Sequence, residues 1–201
     1  MEQHENFSPQ QSLRLIESMI AKTKANLSDN RFYFLLWGWV AFAGIMGQFI
    51  LKVVFQYRHH YIIWLITFVA VFISILHGKK NRNKTKVQTY IGANMSYLWT
   101  GMGISFFILC FILTFMPAER TGWLVSYPFF ILLYGLGTFV SGKLLQFKPL
   151  IIGGIINWFL ACIAVFFSFD FQMLFAAVAV VASYIIPGYL LKPKNSQNAQ
   201  R

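Results

Sequence analysis

The chain has 201 residues, of which 57% are apolar, 18% are aromatic and only 11% are charged, and it carries a net charge of +11. This composition excludes an ordinary water-soluble domain, in which about 25% of residues are charged. It does not indicate a nucleic-acid partner either, because the Lys and Arg residues stand at the ends of apolar stretches rather than along one basic face.

Residues 1–30 are predicted to form a cytoplasmic amphipathic helix. Ser8-Pro9, followed by Gln11, is typical of a helix start, with Ser as the N-cap and Pro at the first helical position. One face of the helix is apolar, with Leu13, Ile16, Met19, Ile20 and Leu27. Basic residues occupy the opposite face and its flank: Arg14, Lys22 and Lys24. The segment lacks the composition of a cleaved signal peptide, so we expect the first span to remain in place.

Six apolar stretches follow, each close to the ~20 residues that cross a hydrocarbon core. They are Phe32 to Leu51, Tyr61 to Leu76, Met95 to Phe115, Trp123 to Gly142, Leu150 to Phe167 and Phe171 to Leu191. The sequence therefore predicts an all-α polytopic membrane bundle at 31–192, with six transmembrane helices arranged as three hairpins. A short basic tail at 193–201 completes the chain.

The distribution of the 17 Lys and Arg residues predicts the orientation of the spans. With the N-terminus inside, 14 of them face the cytoplasm, and the outside keeps only Lys52, Arg58 and Arg120. This is the positive-inside pattern, and it agrees with an even number of spans. Both termini are therefore expected in the cytoplasm.

No catalytic motif or metal-binding pattern is present in the sequence. The central parts of the spans contain no Asp, Glu, Lys, Arg or His, whereas proton-coupled carriers and intramembrane hydrolases need such groups. His59-His60 lacks a third ligand nearby, and Cys110 and Cys162 are expected to be small buried apolar residues. We therefore predict that the protein is not an enzyme and holds no metal or cofactor.

Five positions are candidate intramembrane polar or helix-breaking sites: Gln48, Pro128, Asn157, Pro187 and Gly188. A proline in a helix leaves the carbonyl four residues earlier without its backbone partner. Our hypothesis is that Asn157 caps the carbonyl freed by Pro187 and that Gln48 caps the one freed by Pro128, each as a link between helices. The alternative is that these breaks line a substrate path, as in transporters.

Small residues recur in the first and fourth spans, at Gly38, Ala41, Gly44, Gly47, Gly135, Gly137 and Gly142. In lipid, such residues allow helix backbones to approach closely, which predicts tight packing inside the bundle. A homo-oligomer interface is the alternative interpretation.

The segment SLRLIESMIAKTKANLSDN, the opening FYFLLWGWV of the first span and five further spans with short loops resemble small, six-helix inner-membrane proteins of bacteria whose function is uncharacterised. The resemblance covers the layout of the whole chain. It implies an inner (plasma) membrane location and supplies no functional residues.

The favoured function is a non-enzymatic interaction or accessory protein. Its basic cytoplasmic face would contact anionic lipid headgroups or a protein partner through the N-terminal basic residues and a cluster after the second span: Lys79, Lys80, Arg82, Lys84 and Lys86. The alternative is a small permease or channel for a neutral or weakly polar solute, with hydrogen bonds from Tyr127, Tyr134, Tyr184 and Asn157. An intramembrane enzyme acting on lipid lacks an acid–base pair.

Overall fold

The structure is a computed structural model, and it describes residues 31–82, 90–116 and 122–191, without the side chains of 80–82 and 90–91. The predicted amphipathic helix at 1–30 and the tail at 193–201 lie outside these residues, as do Lys84 and Lys86. Within the described ranges the chain is helical throughout, apart from turns.

Six helices can be followed in the described ranges. α1 is Arg31–Val54, and its last turn, Ile50–Val54, is π-helical. α2 is Ile66–Arg82, entered through a 3₁₀ segment at His60–Leu65, and α3 is Tyr90–Phe115. α4 is Ser126–Leu144, after a 3₁₀ turn at Gly122–Val125, and α5 is Lys148–Ala164. α6 is Phe169–Leu190, with a π-helical turn at Val181–Ile185.

α1, α3 and α6 are long and apolar enough to cross a membrane, and so are α2 and α4 when each is counted with the 3₁₀ segment that precedes it. α5 has 17 residues, or about 25 Å of helix, and it stops at Ala164, shortly before the end of the predicted apolar stretch at Phe167. The chain turns there and enters α6 at Ser168, which has extended backbone and precedes Asp170 in the first turn of α6. An acidic residue at this position favours a helix start, because it faces the positive end of the helix dipole.

α2 and α3 lie at the periphery of the bundle. Only 6% of the most apolar stretch of α2 and 11% of that of α3 is buried, against 56% for α6. Large apolar side chains such as Phe68 and Phe107 therefore point away from the protein. A surface of this kind is unfavourable in water but matches the hydrocarbon core of a bilayer, which supports an integral membrane helix bundle.

α4 and α5 pack together more extensively than α5 and α6 do. Glycines allow this approach: a Cβ on Gly154 would lie 2.8 Å from the carbonyl oxygen of Gly135, and one on Gly142 would lie 2.7 Å from the amide nitrogen of Ile151. In α1, a Cβ on Gly47 would lie 2.9 Å from Ile63 in the 3₁₀ segment before α2. The predicted role of small residues in close packing within the chain is confirmed at Gly47 and Gly142, and Gly154 was not among the predicted positions.

The connection between α4 and α5 is a tight Schellman turn. The amide of Phe147 donates to the carbonyl of Gly142 at 2.9 Å, and the amide of Gln146 donates to that of Lys143 at 3.2 Å. Gln146 has φ of 52°, the left-handed conformation that glycine usually supplies at this position. Pro149 then lies in the first turn of α5, where no backbone donor is needed.

Candidate functional site: two buried amide clusters

Gln48 is the centre of a hydrogen-bonded cluster that joins three helices. Its Oε1 accepts from the indole nitrogen of Trp64 at 2.5 Å and from the hydroxyl of Tyr127 at 2.8 Å, and its Nε2 lies 3.1 Å from Nδ1 of His60. Gln48 is 5% exposed, and its partners come from the start of α2 and from α4. We call Gln48, His60, Trp64 and Tyr127 the Gln48 cluster.

An ion pair lies at the same end of the bundle as the Gln48 cluster. Lys52, in the π-helical turn of α1, pairs with Asp170 in the first turn of α6. The Lys52 ammonium also lies 5.0 Å from the centre of the Phe169 ring, and that ring lies 5.3 Å from the ring of Tyr127. Charge attraction and cation–π contact therefore connect α1 to α6 beside the polar cluster.

Asn157 forms a second cluster between α5 and α6. It is fully buried and contacts the Ser183 hydroxyl at 3.1 Å. With the amide oxygen and nitrogen exchanged, which have nearly the same shape, the amide accepts from Ser183 and donates to the carbonyls of Ala179 at 3.1 Å and Gly153 at 3.3 Å. We adopt this orientation because it uses both ends of the amide. Asn157, Ser183, Ala179 and Gly153 are the Asn157 cluster.

Each amide lies near the proline that the capping hypothesis assigned to it. The hypothesis is wrong about the bonded atom, which is a side-chain hydroxyl and not the freed backbone carbonyl. Asn157 reaches the hydroxyl of Ser183, four residues before Pro187, rather than the Ser183 carbonyl. Gln48 likewise bonds the hydroxyl of Tyr127 rather than the Leu124 carbonyl. The local helix geometry explains both results, because the backbone around each proline departs from a regular α-helix.

Near Pro128, the chain is changing from the 3₁₀ turn at Gly122–Val125 to the α-helix, so the proline occupies a first turn that needs no backbone donor. Before Pro187, the π-helical turn Val181–Ile185 rearranges the carbonyls, and the amide of Ile186 donates to Val181. Both Pro128 and Pro187 are buried. The prolines therefore mark changes of helix type in α4 and α6.

Each amide cluster adjoins a π-helical turn. Gln48 precedes the turn at Ile50–Val54 by two residues, and Ser183 lies inside the turn at Val181–Ile185. π-helical turns are rare, are less regular than the α-helix and occur frequently at functional sites. The two clusters share no partner among the described contacts.

Gly188, the last of the five predicted positions, lies in the final turn of α6 against α1. A Cβ there would lie 2.8 Å from the side chain of Leu35, and its carbonyl accepts from Nε of Arg31 at 3.3 Å. The Arg31 side chain thus satisfies a carbonyl at the C-terminal end of α6, where a positive charge is also favourable for the helix dipole.

The structure describes few of the predicted cytoplasmic contacts. The Lys79 side chain is exposed at the end of α2, whereas for Lys80 and Arg82 only the helical backbone is described. Arg14, Lys22 and Lys24 lie outside the described residues. The expectation of buried cysteines is wrong for Cys162, which is exposed on α5, and Cys110 is only half-buried. Both lie on apolar helices with long exposed faces, where a small apolar side chain can contact lipid as readily as protein.

The side chains of both clusters join one helix to another. In the described residues, no group of three or more His, Cys, Asp or Glu side chains is placed to hold a metal ion. The sequence did not predict that Asp170 and His60 join the polar groups around Gln48 and Lys52 at one end of the bundle. The only available signals were an isolated acidic residue at a span boundary and the histidine pair in a short turn.

Comparison of the chain with protein-family models, with curated proteins and with solved structures returns no match.

Proposed function

We propose that the protein is a non-enzymatic interaction or accessory protein of the bacterial inner membrane, with a basic cytoplasmic face that contacts anionic headgroups and a protein partner. The observation that carries the proposal is the packing of the polar groups in the interior. Asn157 is fully buried and bonded to α6 and to the backbone of its own helix, and Tyr184 is 2% exposed and packed at 5.3 Å against the ring of Tyr134. Buried polar side chains that contact other protein groups support a packed bundle more than a solute path.

The positions of the basic residues support a basic face at one end of the bundle. Arg31 bonds the end of α6, and Gly78, next to Lys79, approaches the hydroxyl of Tyr33 at the start of α1. α4 runs from Tyr127, at the Lys52 end, to Lys143, so the turn that follows it lies at the Arg31 end. Arg31, Lys79, Lys143 and Lys148 thus belong to one end, and anionic headgroups attract such a set.

The proposal includes the finer organisation expected from the sequence: six spans arranged as three hairpins, an amphipathic helix at 1–30 and both termini in the cytoplasm. α5 would complete the six spans, because a 17-residue helix is at the short end of the spanning range. A homo-oligomer remains part of the proposal, but the glycines of α4 that contact α5 cannot also form its interface.

Deleting residues 1–27 is expected to abolish association with the partner and to leave membrane insertion intact, because the spans insert by their own apolarity. Proximity labelling in cells that express full-length or truncated protein measures the first effect, and extraction at alkaline pH measures the second. The triple substitution R14Q, K22Q and K24Q is the matched variant, since it removes charge and keeps the apolar face. An unchanged labelling pattern in both variants would exclude the basic helix as the contact.

The permease alternative is tested by thiol accessibility. With Cys110 and Cys162 replaced, single cysteines at positions 134, 157 and 184 are expected to stay unlabelled by a water-soluble thiol reagent in intact membranes. A cysteine at Arg58, which is exposed in the turn between α1 and α2, is the positive control. Labelling at position 157 or 184 that a small neutral solute prevents would instead support a solute path.

A further inference from the structure

The hydrogen bonds around Gln48 determine the protonation state of His60. The indole nitrogen of Trp64 can only donate, so the amide atom 2.5 Å away from it must be the oxygen of Gln48. Tyr127 donates to the same oxygen at 2.8 Å. The remaining amide atom of Gln48 is therefore the NH₂ group, which can only donate.

This NH₂ group lies 3.1 Å from Nδ1 of His60. Nδ1 must then be an acceptor with a free lone pair, and the ring proton must sit on Nε2. The imidazole in the cluster is consequently neutral. A protonated imidazole carries N–H on both nitrogens, so two donors would face each other across the 3.1 Å contact.

The other charged and titratable groups around His60 come from every neighbouring element. Lys52 is on α1, Tyr127 on α4 and Asp170 on α6, and Lys52 and Asp170 neutralise one another as an ion pair. On the segment of His60 itself, His59 lies 2.7 Å from the hydroxyl of Tyr61. Because the nearby carboxylate is already paired with Lys52, no group in this set is free to compensate a charged His60.

The Gln48 cluster attaches the 3₁₀ segment that leads into α2, whereas the far end of α2 is held by the stacking of His77 on Phe32. The apolar stretch of α2 is only 6% buried. The first part of this stretch is held by the close approach of Trp64 to Gly44 and of Ile63 to Gly47. We propose that His60 is a pH-sensitive latch: neutral His60 holds the start of α2 to α1 and α4 through Gln48, and protonation of Nδ1 breaks this contact and releases the start of α2.

The first test is the stability of the purified full-length protein in uncharged detergent, measured between pH 8 and pH 5. An exposed imidazole titrates near pH ~6.5, so protonation in this range favours states in which His60 has left Gln48. The wild-type Tm is expected to fall on acidification by about 2–4 °C. His60→Asn keeps an acceptor oxygen near the position of Nδ1 and should show a smaller fall, whereas His59→Asn should behave as the wild type. An equal fall in His60→Asn would overturn the proposal.

The second test reads the protonation state directly and does not require a folded His60 variant. ¹⁵N NMR of protein labelled at histidine is expected to show His60 at pH 8 as the neutral form protonated at Nε2. Variants of the other three histidines, His4, His59 and His77, assign the signal by elimination. A His60 signal protonated at Nδ1 at pH 8 would contradict the latch.

Discussion

Replacing Gly154 by alanine is expected to lower the free energy of unfolding by about 1–3 kcal/mol. A Cβ at this position would lie 2.7 Å from Cβ of Phe139 and 2.8 Å from the carbonyl oxygen of Gly135. The second of these neighbours is backbone of α4, which cannot move aside as a flexible side chain can. The alanine must therefore push α4 and α5 apart along their whole contact.

The matched control is Gly101→Ala in α3, where nothing lies within 4 Å of the added Cβ. There the substitution should leave stability unchanged or raise it by up to about 1 kcal/mol, because alanine favours the helix. Unfolding of both variants in mixed micelles with increasing SDS measures the difference. If Gly154→Ala proves as stable as Gly101→Ala, the close α4–α5 contact is incorrect.

Replacing Asn157 by alanine is expected to cost about 1–3 kcal/mol of unfolding free energy, because the buried amide contacts the Ser183 hydroxyl and carbonyls of both α5 and α6. The loss should couple to Ser183→Ala in a double-mutant cycle by about 0.6–2 kcal/mol, the usual strength of a hydrogen bond between membrane helices. The same unfolding measurement provides all four stabilities.

Ser105→Ala is the control for the serine. The Ser105 hydroxyl donates to the carbonyl of Gly101 at 2.9 Å, and the Ser183 hydroxyl lies at a similar 2.7 Å from the carbonyl of Ala179, but Ser105 is exposed on α3. Ser105→Ala should therefore be additive with Asn157→Ala. Equal coupling of Asn157 to both serines would mean that the measured energy reflects helix propensity rather than the Asn157 cluster.

The sequence predicted the helical elements well because each span is an apolar run bounded by charged or turn residues. It also predicted that Asn157 lies near the turn before Pro187, because a proline always frees the carbonyl four residues earlier in the helix. It could not predict the bonded atom. That atom depends on the π-helical turn at Val181–Ile185, which has no reliable signature in one sequence.

The extensive α4–α5 contact was missed for a different reason. Short loops suggested pairing of each odd span with the next even one, and this criterion says nothing about how deeply two helices interlock. Gly135 and Gly142 of α4 face α5, and Gly154 of α5 faces α4, but that complementarity exists only in three dimensions. The Lys52–Asp170 pair could not be predicted from the sequence either, because 118 positions separate the two residues along the chain.

The π-helical turn in α6 also sets the rotational register of everything that follows it. Such a turn contains one residue more than the regular α-helix accommodates, so removing a single residue from Val181–Ile185 would restore a continuous α-helix. The turn absorbs this extra residue locally: if the same residues formed a regular α-helix instead, each would turn the chain by about 100°, and those after Ile185 would face a different direction. Gly188 would then leave Leu35 and Arg31. The extra residue therefore sets the rotation between the half of α6 that packs on α5 and the half that meets α1.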